Sequence, residues 1–226
     1  MWNVAEQTAS PGSFYRRIDA VVRAKGNDPI TWVLKDNSYV RYDMKENHGF
    51  DGYPKLIEGN WPGLVDSFGR GIDAALNRRD QPQVVYLFKD SQYVRYDLDS
   101  DKVEPGYPLS IAEAWKGLPP DFQLGIDAAV NHQSDPNVSW FFKDDLYIRY
   151  DVPNDKLLGG PTPILRGWRG LPENFQRGID AAVNSVLDTD KVYLFKDDQY
   201  VRYDLVSDRT DSGYPLPIEG NWNFFR

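Results

Sequence analysis

Cysteine is absent from the 226-residue chain, which excludes disulfides, thiolate zinc sites, iron–sulfur clusters and cysteine nucleophiles. Long apolar runs are absent too: no stretch approaches the ~20 residues that a membrane helix needs. Met1-Trp2-Asn3-Val4-Ala5-Glu6 lacks a basic segment followed by an apolar one, so no signal peptide is visible. These absences favour an intracellular, cytoplasmic protein and leave secretion open. Basic residues are in deficit, 26 against 34 acidic, giving a net charge of −8 and a pI near 4.8. A nucleic-acid partner, bound by neutralising phosphates, is thereby disfavoured, and cationic ligands are mildly favoured. Catalytic signatures are missing as well. There is no His-Glu-x-x-His, no Gly-x-Ser-x-Gly, no phosphate-cradling glycine loop and no dinucleotide fingerprint. The two histidines, His48 and His132, fall at non-equivalent places in different loops. The expectation is a protein that is not an enzyme. What is present is a globular composition, 41% apolar and 14% aromatic, enough for a core.

Self-similarity is the strongest signal. Phe14-Tyr15-Arg16-Arg17-Ile18-Asp19-Ala20-Val21 returns from Phe68, Phe122 and Phe175 as Phe-x-x-Gly-Ile-Asp-Ala-Ala, placing Asp19, Asp73, Asp127 and Asp180 53 or 54 residues apart. Three further landmarks keep that period. They are the Lys-Asp pairs at Lys35, Lys89, Lys143 and Lys196, a Tyr-x-Arg-Tyr-Asp segment ending at Asp43, Asp97, Asp151 and Asp204, and a Gly-Tyr-Pro segment running to Trp61, Trp115 and Trp222. In the third repeat the last landmark reads Gly159-Gly160-Pro161 to Trp168. The repeats span residues 14–67, 68–121, 122–174 and 175–226, with residues 1–13 as a lead-in to a single domain.

Each repeat reads mostly as strand. Ile-Asp-Ala opens a short one. Trp32-Val33-Leu34, Tyr86-Leu87-Phe88, Trp140-Phe141-Phe142 and Tyr193-Leu194-Phe195 are compact runs suited to strands buried on both faces. The Lys-Asp pairs make tight turns. In the next strand Val40 and Tyr42 face one way, and Tyr39, Arg41 and Asp43 the other. Proline at 54 suits the first turn of a helix, and Ile57 and Trp61 would share its face. One such sheet cannot bury both faces alone, whereas four arranged radially can. The expected fold is all-β, a four-bladed β-propeller with a short helix at the end of each blade. The Arg and Asp of Tyr-x-Arg-Tyr-Asp are expected to form ion pairs.

These landmarks resemble the hemopexin-type repeat, and the resemblance covers Phe14 to Trp222. That family includes the heme carrier hemopexin, vitronectin, the C-terminal domains of matrix metalloproteinases and legume seed albumins, with stand-alone forms in microbes. A bare propeller is more similar to the seed-albumin and microbial types. The resemblance implies that the Ile-Asp-Ala strands line a central channel. The main-chain carbonyls of Asp19, Asp73, Asp127 and Asp180 would then hold a cation, Ca²⁺ or Na⁺. Val21, Ala75, Ala129 and Ala182 would form a second ring for a cation or chloride. The Asp side chains would meanwhile brace the inner strands. Three departures stand out. Without cysteine, ring closure must come from packing, with residues 1–13 docked beside the fourth blade. Gly160 replaces tyrosine, and Arg17 replaces glycine.

The resulting expectation is a non-enzymatic propeller that binds a small ligand, with heme or a polyamine as first candidates. Polyamine would suit acidic loops at the channel mouth, and His48 and His132 are the candidate heme ligands. The alternative is a carbohydrate-binding lectin or protein-interaction module, in which shallow inter-blade sites present Trp and Tyr to a glycan. No membrane partner is expected, and a homodimer is left open. Residues that break the repeat, Trp2, Arg16, Arg17 and the loop Asn154-Asp155-Lys156-Leu157-Leu158, are further functional candidates.

Overall fold

Every Lys-Asp pair closes a hairpin. In the computed structural model, which describes residues 7–225, Asp36, Asp90, Asp144 and Asp197 take φ of 51°, 50°, 50° and 53°. A two-residue turn of the primed type requires positive φ, which Asp tolerates and a branched residue would not. In the first blade the inner strand Ala20–Arg23 pairs with Ile30–Lys35, which pairs with Ser38–Asp43. Two short strands share that third strand's outer edge: His48–Gly49 opposite Tyr42–Asp43, and Lys55–Leu56 opposite Ser38–Tyr39. The same five-strand pattern recurs with inner strands Ala74–Asn77, Ala128–Asn131 and Ala181–Asn184.

The four sheets bury their faces against one another, not internally. Each of four apolar clusters draws on two neighbouring blades and holds one of Trp61, Trp115, Trp168 or Trp222. Inner strands of successive blades lie side by side, and the first lies against the last, so the ring is closed. Burial of Tyr42, Tyr96, Tyr150 and Tyr203 is nearly complete. Each hydroxyl donates to the left-handed residue of its own blade's next turn: Asn47, Asp101 (2.7 Å), Asp155 and Asp208 (2.8 Å). A buried hydroxyl without such an acceptor would be costly.

Glycine is needed where blades meet. A Cβ on Gly71, Gly125 or Gly178 would stand 3.1–3.3 Å from the carbonyl of Asp36, Asp90 or Asp144 in the preceding blade's turn. At the seam between fourth and first blades Arg17 takes this place. Its guanidinium lies 3.3 Å from Asp19 of its own blade and 3.7 Å from Asp180 of the fourth. The rest of that seam is packing. Phe14 and Tyr15 meet Phe224, and Tyr42 stacks on Trp222 at 5.3 Å. The Gly49 N–H donates to the Asn223 carbonyl at 2.7 Å, and a Cβ at Gly49 would collide with the Phe224 carbonyl.

Four details differ from the sequence reading. One-turn helices end the second and third blades at Ile111–Ala114 and Ile164–Gly167. In the first and fourth, the bonds from Trp61 to Ile57 and from Trp222 to Ile218 close single turns. The prolines do not start these turns: Pro54, Pro108 and Pro215 follow cis Tyr-Pro bonds, and the chain pairs briefly as strand before turning. The lead-in, whose residues 1–6 lie outside the described residues, does not dock solely beside the fourth blade in its described part. Asn37 donates to the Gln7 carbonyl and Ala9 to the Ser38 hydroxyl, both on the first blade, while Ala9 also touches the cluster shared with the fourth. Finally, among the described residues the Arg of Tyr-x-Arg-Tyr-Asp does not pair with the Asp of that segment. Asp43, Asp97, Asp151 and Asp204 accept N–H groups of the following turn, which a short carboxylate reaches more easily than a strand neighbour's Arg. Arg95 and Arg202 instead pair with Glu104 and Asp211, and Arg41 covers the Phe50 ring.

Candidate functional site

The inner-strand aspartates are clamps. Oδ2 of Asp19, Asp73, Asp127 and Asp180 accepts the N–H of Asp36, Asp90, Asp144 and Asp197, each at 2.7 Å. The other oxygen of Asp73, Asp127 and Asp180 meets Lys89, Lys143 and Lys196 at 2.7, 2.7 and 2.9 Å; Lys35 is 3.3 Å from Asp19. Each carboxylate thus locks its inner strand to its own hairpin turn. Burial raises the Asp19 carboxyl above its usual range, against the pull of the Asp36 N–H and Lys35. The side chains being engaged, only main-chain oxygens remain for an ion. Those four carbonyls accept no hydrogen bond among the described residues, so they are available as donors to a cation. Further along the axis, Val21, Ala75, Ala129 and Ala182 line a narrow cavity of about 20 Å³, room for a single water-sized occupant. Among the described residues no three His, Asp or Glu side chains are grouped to hold a metal.

Past this cavity the inner strands end on Arg23, Asn77, Asn131 and Asn184. The Asn amides stitch blade to blade: Asn77 donates to the Arg23 carbonyl (2.8 Å), Asn131 to Asn77 (2.9 Å) and Asn184 to Asn131 (2.9 Å). The channel mouth beyond them is a cavity of about 240 Å³ whose charged lining is Arg23, Arg78 and Arg79, with His132 beside them and no carboxylate. Acidic loops were expected at the channel mouth; this one is basic, because its turns carry the first two blades' arginines.

The two histidines are not brought together. His48 sits on the outermost edge of the first blade, its Nδ1 3.0 Å from the Gly49 carbonyl oxygen. His132 lies at the channel mouth, stacked on Trp140 at 4.8 Å, with Nδ1 accepting from the N–H groups of Ser134 and Asp135. Burial, then Arg149, hold His132 below the usual imidazole range. They form no axial pair for heme. Of the repeat-breaking residues, Arg17 and Asp155 join blades: Asp155 accepts the Lys116 N–H at 3.1 Å and meets its ammonium at 3.1 Å. Arg16 is exposed. Trp2 lies outside the described residues.

Between the third and fourth blades an inter-blade cleft is open. In three blades the tyrosine of Gly-Tyr-Pro packs edge-on against the strand tyrosine at 5.5 Å: Tyr53 on Tyr39, Tyr107 on Tyr93 and Tyr214 on Tyr200. Gly160 supplies no ring to Tyr147. Whereas Tyr39, Tyr93 and Tyr200 are each 6% exposed, Tyr147 is only half-buried, and its hydroxyl leans over Gly167, where a Cβ would collide with it. The result is a cleft of about 190 Å³ between the third and fourth blades, lined by Trp140, Tyr147, Trp168 and Tyr203 with Gln133 and Asp208. Gln133 donates to the Leu205 carbonyl across the blades (3.2 Å), while its Oε1 is buried without a partner. The departure at Gly160 was visible in the repeat alignment; that it opens an aromatic cleft was not, since that depends on Tyr147 and Gly167 meeting in space.

A closed ring of four sheets, with an axial channel and an open cleft between its third and fourth blades, defines a repeat-built binding scaffold. The chain belongs to the hemopexin family: the Hemopexin profile matches residues 72–120, 126–173 and 179–226. The first repeat, with Arg17 and Arg23 in place of Gly and Asn, lies outside the match. Among curated proteins the chain is 31% identical to Homo sapiens vitronectin over 194 residues, covering 82% of this chain and 38% of the relative. It is 28% identical to Homo sapiens matrix metalloproteinase-21 over 203 residues, 84% of this chain and 33% of that one, so it spans well under half of either. Among solved structures it resembles a 2S albumin seed protein from Dolichos, with TM-score 0.80, 28% identity and coverage of 91% and 96% of the two chains. A plant albumin from Cicer arietinum showing hemagglutination gives TM-score 0.79, 25% identity and coverage of 91% and 95%.

Proposed function

We propose that this propeller is a non-catalytic recognition module that holds one saccharide unit of a glycan in the cleft between its third and fourth blades. The observation that carries the reading is the cleft itself, open in this blade pair through Gly160 and Gly167. Its chemistry suits a pyranose. Aromatic faces stack on the sugar's C–H surface, while Asp208, the Tyr147 hydroxyl and the unpartnered Gln133 Oε1 meet hydroxyl groups. The Cicer arietinum albumin showing hemagglutination lends support, since glycan binding is one way to hold cell surfaces together. Heme and polyamine have less in their favour: the histidines lie apart, and the channel mouth at the Arg23 end is cationic. A glycan array followed by sugar titration of the wild type and a Trp140→Ala variant tests the reading. Saturable binding that the variant loses is expected. Binding that the variant retains, or a blank array, would discard it.

The same reading includes a structural cation on the axis, Ca²⁺ or Na⁺, held by the carbonyls of Asp19, Asp73, Asp127 and Asp180. Support lies in those oxygens' freedom from hydrogen bonds. When bound, the ion would draw four main-chain dipoles together and reinforce the ring.

A further inference from the structure

The basic mouth of the channel rests on Arg23 and Arg79, neither of which lines the cleft, and carries its own inference. At the last inner-strand position three blades have Asn, whose amide reaches the neighbouring strand. The first blade has Arg23. Its Nη2 donates to the Gly26 carbonyl at 3.1 Å, but its Nε is buried with no acceptor. Arg79, from the second blade, donates through Nη1 to the carbonyls of His132 and, at 2.9 Å, Gln133. Neither Arg23 nor Arg79 has a carboxylate within ion-pair distance among the described residues, although the chain holds 34 acidic residues; Arg78, beside them, is paired with Asp80. Two guanidiniums are thus held on one cavity by backbone carbonyls, with their charge uncompensated. Like charges so placed repel: burial, then Arg79, lower the affinity of Arg23 for its proton. Two guanidiniums with net positive charge, one of them with an orphan Nε–H, match an oxyanion.

We propose that Arg23 and Arg79 form a binding site for an oxyanion group, sulfate, phosphate or carboxylate, at the mouth of the axial channel. The anion accepts from the orphan Arg23 Nε and from Arg79, and relieves their repulsion. The cavity, about 240 Å³, leaves room for the anion to arrive free or as a substituent of a larger molecule. His132 and Gln133 line both this cavity and the aromatic cleft, so an acidic sugar has a continuous surface to span.

The test uses the full chain in thermal-shift and calorimetric titrations at matched ionic strength, with chloride, inorganic sulfate, inorganic phosphate and a sulfated disaccharide. The decisive variant is Arg23→Asn, which installs the residue that the other three blades use and should therefore fold; Arg79→Gln is the second. The wild type should show a saturable rise in melting temperature with sulfate or phosphate beyond that with chloride, and each variant should bind about tenfold or more weakly. Equal affinity for inorganic sulfate and the disaccharide supports a free ion as the source. Tighter binding of the disaccharide, with the excess removed by Gly160→Tyr, supports an acidic sugar; that arm alone rests on the cleft reading. No saturable response, a response equal to that of chloride, or undiminished binding by Arg23→Asn overturns the site, whatever the fate of the cleft.

Discussion

Replacing Gly160 by tyrosine gives the third blade the ring that its sister blades carry. Nothing lies within 4 Å of where the new Cβ would stand, and Gly160 is not among the left-handed glycines, unlike Gly159 at φ 93°. The backbone therefore accepts a side chain without strain. An edge-on pair with Tyr147, as Tyr53 makes with Tyr39 at 5.5 Å, contributes about 0.5–1.5 kcal/mol. Removing a glycine's freedom in the unfolded chain adds about 0.4–1 kcal/mol. Some of this is offset because Tyr147 must swing back from Gly167. A net gain of about 1–2 kcal/mol in a chain of this length raises the melting temperature by about 2–8 °C. The same ring fills the cleft, so sugar binding should fall below detection. Thermal unfolding and sugar titration on one preparation read both effects. A variant that is less stable, or equally stable with full binding, would refute the account of why this cleft is open.

Gly49→Ala should lower stability in urea unfolding by about 2–3 kcal/mol, since the added methyl meets the Phe224 carbonyl in the closing seam; a neutral result would mean that the seam can shift aside. Lys191 bonds Asp204 at 2.6 Å and Asp211 at 2.9 Å, so Lys191→Met should cost about 1–2 kcal/mol near pH 6. The Lys191 bond and the N–H of Ser207 hold the Asp204 carboxyl below its usual 3.8. Burial pushes the Asp211 carboxyl up, but its bonds to Lys191 and Arg202 leave it lowered too. Groups lowered on folding stabilise above their unfolded pKa and lose that contribution as pH falls through the folded value. The difference between wild type and variant should therefore shrink below pH 3.8, and a constant gap from pH 6 to 3 would rule out this origin. A chelator should lower the melting temperature without unfolding the chain at room temperature; an unchanged melting temperature would count against a structural Ca²⁺.

The ring and the hairpin turns were legible because they depend on local chemistry repeated four times. Lys35-Asp36 and its copies specify a turn, and Trp61 and its copies specify the inter-blade core. The helix starting at Pro54 was misread because Lys55–Leu56 first pairs with Ser38–Tyr39, a contact that spacing does not reveal. The ion pairing of Arg41 with Asp43 was misread because same-face strand neighbours compete with nearer turn N–H groups. The bracing role of the inner-strand aspartates was legible, their carboxylates being two strands from their turns yet repeated in step with them. The mouth was hardest. Arg23 occupies the register of Asn77, Asn131 and Asn184, a break visible by aligning the repeats, but its sign matters only because Arg79 reaches it from another blade.

The segments Gln7–Ala9 and Trp222–Phe225 both lie in or beside the seam that Arg17 and Phe224 close. An open array of repeats can fray from either extremity and leave its middle intact. Here loosening of either segment exposes the same gap, and once it parts, the remaining blades each lose a neighbour's support in turn. Resistance to proteolysis should therefore be governed by one latch, not by an average over four equal modules.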